Sequence, residues 1–545
     1  MRRLQNRGIG FIIVIVFLLP VLPGHTQGVE TSMIKYGRLM QLIENFYVDT
    51  ANIDQLTESA VVEVLGKLDP HSVYISKDEV KEMNEPLEGN FEGIGISFNI
   101  LRDTLRVVTT IPGGPSEKAG LLPGDCIVVI DDKPVAGTGL KNNEVMKMLR
   151  GEKGTQVKLK IKRQKEATGL LSFTIVRDKI PIFSLDASYM LNDESGYIKL
   201  NRFSATTTEE FSDAIKKLKK NPGFKNLILD LRGNGGGYLK AAIEMADQFL
   251  GPQHLVVYTK GVHEPRKDYK SSALGEFEEG RLVVLIDEGS ASASEIVAGA
   301  VQDWDRGVIV GRRSFGKGLV QQPFPLTDGS IVRLTTAHYY TPSGRGIQKP
   351  YDRGVDEYRK DYVNRFESGE LFTRDSVHLD KRQSFETLRN KRVVYGGGGV
   401  MPDIFVPIDT SSNYRFFNLL ARQNVLYSVS MDYMISNRQE ISSKYKGFDD
   451  FNENFEVPDH LIEKMVQEAD NEKIEKDQAS IDFARPLILK QVKALLARDL
   501  YGMDYYYRVQ NQDDDVIGEA LHVLKERSEY EQLLAEQSDH ATGNL

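Results

Sequence analysis

The sequence predicts a multidomain chain with a layered α/β core, a β-rich module inserted ahead of it, helices at its start and a helical extension at its end. Three observations predict this. Between residues 180 and 408, nearly continuous apolar runs alternate with stretches of helical period. Between 87 and 178 the texture changes to short β-like runs punctuated by glycine. At 545 residues, the chain also exceeds the size at which a single core keeps growing, so two to four domains are expected.

The elements follow in order. Arg2, Arg3 and Arg7 precede a short apolar run, Ile9 to Leu22, which has the form of a secretory signal. No A-x-A site follows it, so residues 1–27 are read as a signal peptide or a retained N-terminal membrane anchor, and the chain is expected to be exported. Residues 28–86 form an N-terminal helical region. Leu39, Leu42, Ile43 and Phe46 repeat at helical spacing, as do Val61, Val64, Leu65 and Leu68, until Pro70 breaks the pattern.

Residues 87–178 are the β-rich module. Gly93–Phe98, the run from Cys126 to Ile130 and the alternating Val157–Arg163 read as strands, with short helices near Ser116–Ala119 and Asn142–Leu149. Cys126 is the only cysteine, which excludes an internal disulfide, and its apolar run predicts a small buried hydrophobe.

Residues 179–409 are the α/β core. An apolar strand precedes a helix carrying Phe211, Ala214, Ile215 and Leu218, and the runs Asn226–Leu231 and Arg281–Asp287 each precede a further helical stretch. Residues 351–391 are charged and lack a period, and they read as a surface insertion. Residues 410–545 are helical and highly charged. Pro486 is expected to open one helix, and Ile517, Ala520, Leu521 and Leu524 mark another.

Composition narrows the function by exclusion. With 40% hydrophobic and 27% charged residues, the chain reads as soluble, and a net charge of −9 leaves no electrostatic footprint for nucleic acid. The nine histidines form no HExxH pair, so neither a metal nor a cofactor is expected.

The chemistry concentrates in three segments. In Asp287–Gly318, small residues at Gly289–Ser294 follow an apolar strand and enter a helix, where a nucleophile is exposed and backbone N–H groups can receive an oxyanion. Ser292 and Glu295 also have the spacing of a helix-capping box, which needs no catalysis. Asp230–Gly237 closes an apolar strand with glycines that let backbone approach a ligand closely, although a plain strand–helix turn has the same form. In Ser314–Gln322, continued strand alternation would put Lys317, Leu319 and Gln321 on one face. Desolvation there would lower the lysine pKa as a general base requires, and Gln321 could fix the direction of the amine.

Together GSASASEI, DLRGNGGG, FGKGLVQ, YYTPSGRGIQ and GGVMPDIFVP resemble, in order, the motifs of the C-terminal processing (tail-specific) peptidases, serine proteases with a Ser/Lys pair. The resemblance covers residues 34–408 and implies a ClpP/crotonase-like core carrying a PDZ domain. It implies Ser292 as nucleophile, selected over Ser290 and Ser294 by its 25-residue separation from Lys317, the general base. Gln321 would orient that base, and Glu295 would support the site or only cap its helix. The oxyanion hole would be made by the amide of Ala293 with that of Gly235 or Gly236, the two glycines being left open. Gly93, Ile94, Gly95 and Ile96, in EGIGI, resemble the PDZ loop that receives a terminal carboxylate, and such domains bind an extended peptide by strand addition.

The expected activity is therefore an exported serine endopeptidase, periplasmic and either soluble or anchored to the inner membrane. Its expected partners are proteins or peptides with free C-termini, and its helical ends could serve a homo-oligomer or an adaptor. A non-catalytic PDZ scaffold on a protease-like fold is the competing reading. A His/Asp/Ser protease is opposed by the lack of a matching nucleophile loop, since His71 in LDPHS is the only obvious early histidine.

Overall fold

A computed structural model describes residues 26–101, 103–163, 169–273, 275–378, 381–409 and 414–535. The apolar run at Ile9–Leu22 lies outside the described residues. Among those described, no helix is long and apolar enough to cross a membrane. The chain divides into two compact units, 1–67 and 68–545. The first contains the helices Thr26–Phe46 and Ile53–Gly66, the second of which is capped by Asn52 accepting from the Gln55 amide at 3.1 Å.

In the second unit, six strands form a sheet in the order Leu185–Met190, Ser195–Leu200, Asn226–Asp230, Arg281–Ile286, Val308–Gly311 and Ile404–Phe405. Only the first pair is antiparallel. The inner strands are apolar along their whole length because both faces are covered. Ile198, Leu200, Leu227, Leu229, Leu282 and Val284 pack against the helices Thr207–Leu218, Leu239–Asp247 and Ala293–Asp303. Tyr197, Ile228, Val283 and Leu285 point the other way, into Val516, Ile517, Ala520, Val523 and Leu524.

Those last residues belong to the helix Asp515–Lys525. The final part of the extension that the sequence sets apart at residue 410 thus supplies the second helical layer of the core. The preceding helices, from Arg415–Arg422 to Gln478–Tyr501, close on an apolar cluster of their own. Pro486 does not open a helix. The helix begins at Gln478, because the Asp477 side chain accepts the Ser480 amide at 2.7 Å, and Pro486 lies in its interior.

The β-rich module forms as the pattern predicts. Its strands run Ile96–Leu101, Thr104–Thr110, Cys126–Ile130, Gln156–Lys162 and Leu171–Val176 in sheet order, and Val157, Leu159 and Ile161 alternate inward. A two-stranded ribbon, Asn90–Gly93 with Asp178–Pro181, joins the module's two ends. Cys126 is half-buried rather than buried, because its strand leaves that position near the sheet's surface.

Residues 351–391 are more than a surface excursion. Tyr358, Arg365, Glu370 and Leu371 are buried, and Arg365 donates to the carbonyls of Arg313 and Ser314 at 2.6 and 3.2 Å. The insertion therefore grips the segment leading to Lys317, and the charge of its sequence concealed these anchoring positions.

Candidate active site

Ser292 sits at the turn between the strand Arg281–Ile286 and the helix Ala293–Asp303. Its backbone is held at φ +54° and ψ −109°, a conformation that a non-glycine residue keeps only where its surroundings enforce it. Sharp turns of this kind push a side chain out of the sheet's end. The neighbouring serines are committed elsewhere and fully buried. Ser290 Oγ donates to the Leu231 carbonyl at 2.9 Å, and Ser294 Oγ to the Asn234 carbonyl at 2.8 Å. Ser292 is only half-buried, and with Glu295 it forms a capping box at the start of the helix.

The buried carboxylate of Glu295 organises this turn. Its Oε2 accepts the Ser292 amide at 2.8 Å and the Lys317 amide at 2.9 Å, and its Oε1 accepts the Gly316 amide at 2.7 Å and Ser314 Oγ at 2.5 Å. Burial outweighs the pull of these four donors, so the group is raised to about 7. Glu295 is thus more than the helix cap that its spacing suggests. Tyr339, which sequence reasoning missed, adds a second tie: its buried hydroxyl reaches the carbonyl of Ser292 at 3.0 Å and that of Lys317.

Lys317 is desolvated, as expected. Burial lowers its pKa, the Arg333 charge lowers it further, and Glu295 and Asp69 partly oppose them. Its ammonium makes no hydrogen bond or ion pair among the described residues. Gln321 does not supply one among the described hydrogen bonds. The paired strand starts only at Leu319, the Gly318 amide leaves to Gln348 Oε1 at 2.8 Å, and register shifts between Val320 and Gln321. The Gln321 amide instead faces Thr335 Oγ1 at 3.4 Å, which reaches Asp69 at 3.1 Å.

Asp69 belongs to the LDPHS loop, where it also takes the amides of His71 and Ser72 at 2.8 and 2.9 Å. His71 is lowered to about 4 by burial and by the Lys317 charge, so it is neutral near pH 7. Its Nε2 meets Tyr358 Oη at 2.8 Å. Lys349 lies 3.7 Å from the centre of the Phe315 ring and 4.2 Å from that of Tyr358 and pairs with Asp361 at 2.9 Å, so the insertion also packs behind the lysine segment.

The glycine loop closes the other side. A Cβ on Gly236 would fall 2.9 Å from Ser292 Cβ and 3.0 Å from the Ala293 nitrogen, so this residue abuts the serine turn. Its own amide, however, is donated to Asn234 Oδ1 at 2.9 Å. Gly235 is exposed, and neither its amide nor that of Ala293 has an acceptor among the described residues. In the β-rich module, Ile94 is buried and its carbonyl takes the Ser116 amide at 3.0 Å, while Gly95 holds φ +73° and leads into Ile96. The strand Ile96–Leu101 lies at the sheet's edge, paired only with Thr104–Thr110 among the described strands.

Residues 194–357 match the model of peptidase family S41, 106–163 match a PDZ domain, and 416–502 match a family of unknown function. The carboxy-terminal-processing protease of Bartonella bacilliformis is 37% identical over 338 residues, covering 61% of this chain and 76% of that protein. The chain belongs to the carboxy-terminal-processing proteases of family S41. The processing protease CtpB of Bacillus subtilis is 34% identical over 375 residues, covering 68% of this chain and 75% of the relative. Among solved structures, the photosystem II D1 C-terminal processing protease is 28% identical with a TM-score of 0.34, covering 58% of this chain and 90% of that one. This family member is a serine protease that carries a PDZ domain.

Proposed function

We propose that the chain is an exported endopeptidase that cleaves by a Ser/Lys acyl-enzyme mechanism and reads substrate C-termini through its PDZ module. The observation that carries the mechanism is the shared carboxylate of Glu295, which ties the backbone of Ser292 to that of a desolvated Lys317. Neutral Lys317 takes the Ser292 proton as Oγ attacks the scissile carbonyl, and returns it to the leaving amine. The ester is then hydrolysed by water, which the same amine activates. The amides of Ala293 and Gly235 receive the developing oxyanion, a reading supported by the commitment of the Gly236 amide to Asn234. Gln321 acts as a spacer against Thr335 in this conformation and turns toward the amine only when substrate reshapes the strand.

In this reading, Gly93, Ile94, Gly95 and Ile96 receive the terminal carboxylate, and the open edge of Ile96–Leu101 takes the peptide as an added strand. The boundary between 87–178 and 179–409, with a ClpP/crotonase-like core, is supported by the separate apolar clusters of the β-rich module and the mixed sheet, whereas the last helices of 410–545 pack on that core. Export to a periplasmic site, with residues 1–27 cleaved or kept as a tether, is supported by the arginines before Ile9. Exposed Leu39, Leu42 and Phe46 support assembly through the N-terminal helices.

The test is digestion of a protein tagged at its C-terminus, with Ser292→Ala as control and products read by mass. Fragments made by the wild type and absent with Ser292→Ala are expected. Equal digestion by both overturns the mechanism, and binding without cleavage by the wild type favours a peptide-holding scaffold.

A further inference from the structure

We infer that Asp514, on the C-terminal extension, is a positioning residue for peptide hydrolysis, acting through Arg232 on the glycine loop that presents the Gly235 amide. This rests on the proposed role of that amide as an oxyanion donor. Arg232 opens the loop, and its side chain is only 18% exposed. Its Nε and Nη2 donate to Asp230, while Nη1 donates to both oxygens of Asp514, at 3.1 and 2.8 Å. The guanidinium thus has its two acceptors from opposite sides, one on the strand that ends in the loop and the other on a helix cap far downstream in sequence. A planar fork held at both ends has little rotational freedom left, and its backbone carries the loop with it.

The rest of the loop is fastened as well. The Gly233 amide donates to Asp287 Oδ1 at 2.8 Å, Asn234 Nδ2 to the Leu200 carbonyl at 3.0 Å, and the Ala291 amide to the Asn234 carbonyl at 3.0 Å. Arg232 is the point at which this framework reaches the C-terminal extension. With Asp514 gone, Nη1 has no acceptor in a largely closed space, and the loop relaxes to satisfy it. Since oxyanion donors act only over a narrow range of distance, a small relaxation is felt in turnover before it is felt in binding.

Asp514 also caps the helix Asp515–Lys525, its Oδ1 accepting the amides of Val516 and Ile517 at 2.9 and 3.0 Å. Asparagine keeps that capping role but lacks the charge, so Asp514→Asn separates the two functions. The experiment measures kcat and KM for peptide cleavage, inhibition by a peptide aldehyde and thermal unfolding. The variants are Asp514→Asn, Asp514→Glu, and Asp515→Asn as an exposed neighbouring control, with Ser292→Ala in parallel.

Asp514→Asn is expected to lower kcat about tenfold with KM within about twofold, to weaken the aldehyde in step with kcat/KM, and to unfold near the wild-type temperature. Asp514→Glu is expected to recover most of the loss, and Asp515→Asn to behave as the wild type. Unchanged kcat in a folded Asp514→Asn enzyme overturns the inference. So does a rise in kcat, which is what removal of a negative charge near an oxyanion would give if only the field mattered. A loss of kcat that follows a loss of folded protein also overturns it. Activity in Ser292→Ala would instead refute the underlying mechanism.

Discussion

One carboxylate oxygen, Glu295 Oε2, accepts the amide of Ser292 at 2.8 Å and that of Lys317 at 2.9 Å, so the two segments of the site meet on a single buried atom. Replacing that atom by an amide nitrogen would set donor against donor. Glu295→Gln is therefore expected to cost about 1–3 kcal/mol of stability and to lower kcat at least tenfold while leaving KM near its wild-type value. Chemical denaturation and steady-state peptide cleavage check both.

Lys317 carries an opposite pair of consequences. Its folded-state pKa lies below its unfolded value, so folding near pH 7 works against the ammonium. That cost is absent above the unfolded value near 10.5 and grows as pH falls toward the folded value. Lys317→Met is expected to abolish cleavage yet raise the melting temperature at pH 7 by about 2 °C or more. Lys317→Arg is expected to be inactive too, because a guanidinium does not give up its proton. Cleavage by the arginine variant near the wild-type rate would remove the base from residue 317.

The pH profile follows from the same group. Activity should rise with pH as Lys317 loses its proton, with a midpoint below that of an ordinary lysine. The Arg333 charge contributes to that lowering, so Arg333→Gln is expected to move the rising limb to higher pH. Profiles of kcat/KM for the two enzymes, measured in matched salt, test the shift, and coincident limbs would refute it.

The two loop glycines should respond very differently to alanine. At Gly236, where φ is +100°, a Cβ would lie 2.8 Å from the Ala291 carbonyl oxygen and 2.9 Å from Ser292 Cβ, whereas at Gly235 nothing lies within 4 Å. Gly236→Ala is expected to reduce kcat by roughly a hundredfold, and Gly235→Ala by no more than about threefold, since alanine keeps the amide.

For the PDZ module, paired peptides with a free or amidated C-terminus give the test. The amide is expected to be cleaved at least tenfold more slowly at limiting concentration. Gly95→Val would place carbon 2.9 Å from Ile180 Cδ1 at a residue with φ +73°, and is expected to erase most of that difference. Equal rates for acid and amide in the wild type would end the tail-reading proposal.

Local sequence carried some of this well. The strand-to-helix turn at Ser292 and the glycines from Gly233 onward were legible because each motif is contiguous, and Val157, Leu159 and Ile161 showed their alternation directly. The commitment of the two neighbouring hydroxyls was not legible, because it depends on where Ser290 and Ser294 find their carbonyl acceptors. The turn of Gln321 toward Thr335 was not legible, because that partner is reached across a strand pairing, for which spacing gives no signal. The roles of Tyr339, Tyr358 and Asp514 come from pairings across long stretches of chain, for which spacing gives no signal. The apolar stripe at Ile517, Ala520, Leu521 and Leu524 was plain in the sequence, but its partner was not.

That partner has a consequence for biosynthesis. Ile228, Val283 and Leu285 face water until Val516–Leu524 reaches them. At ordinary elongation rates that segment follows Lys317 out of the ribosome by about 10 to 40 s. During this interval the nascent chain already contains Ser292, Glu295 and Lys317 but lacks the helix that covers one face of its sheet. Hydrolytic competence is therefore expected only once synthesis is nearly complete.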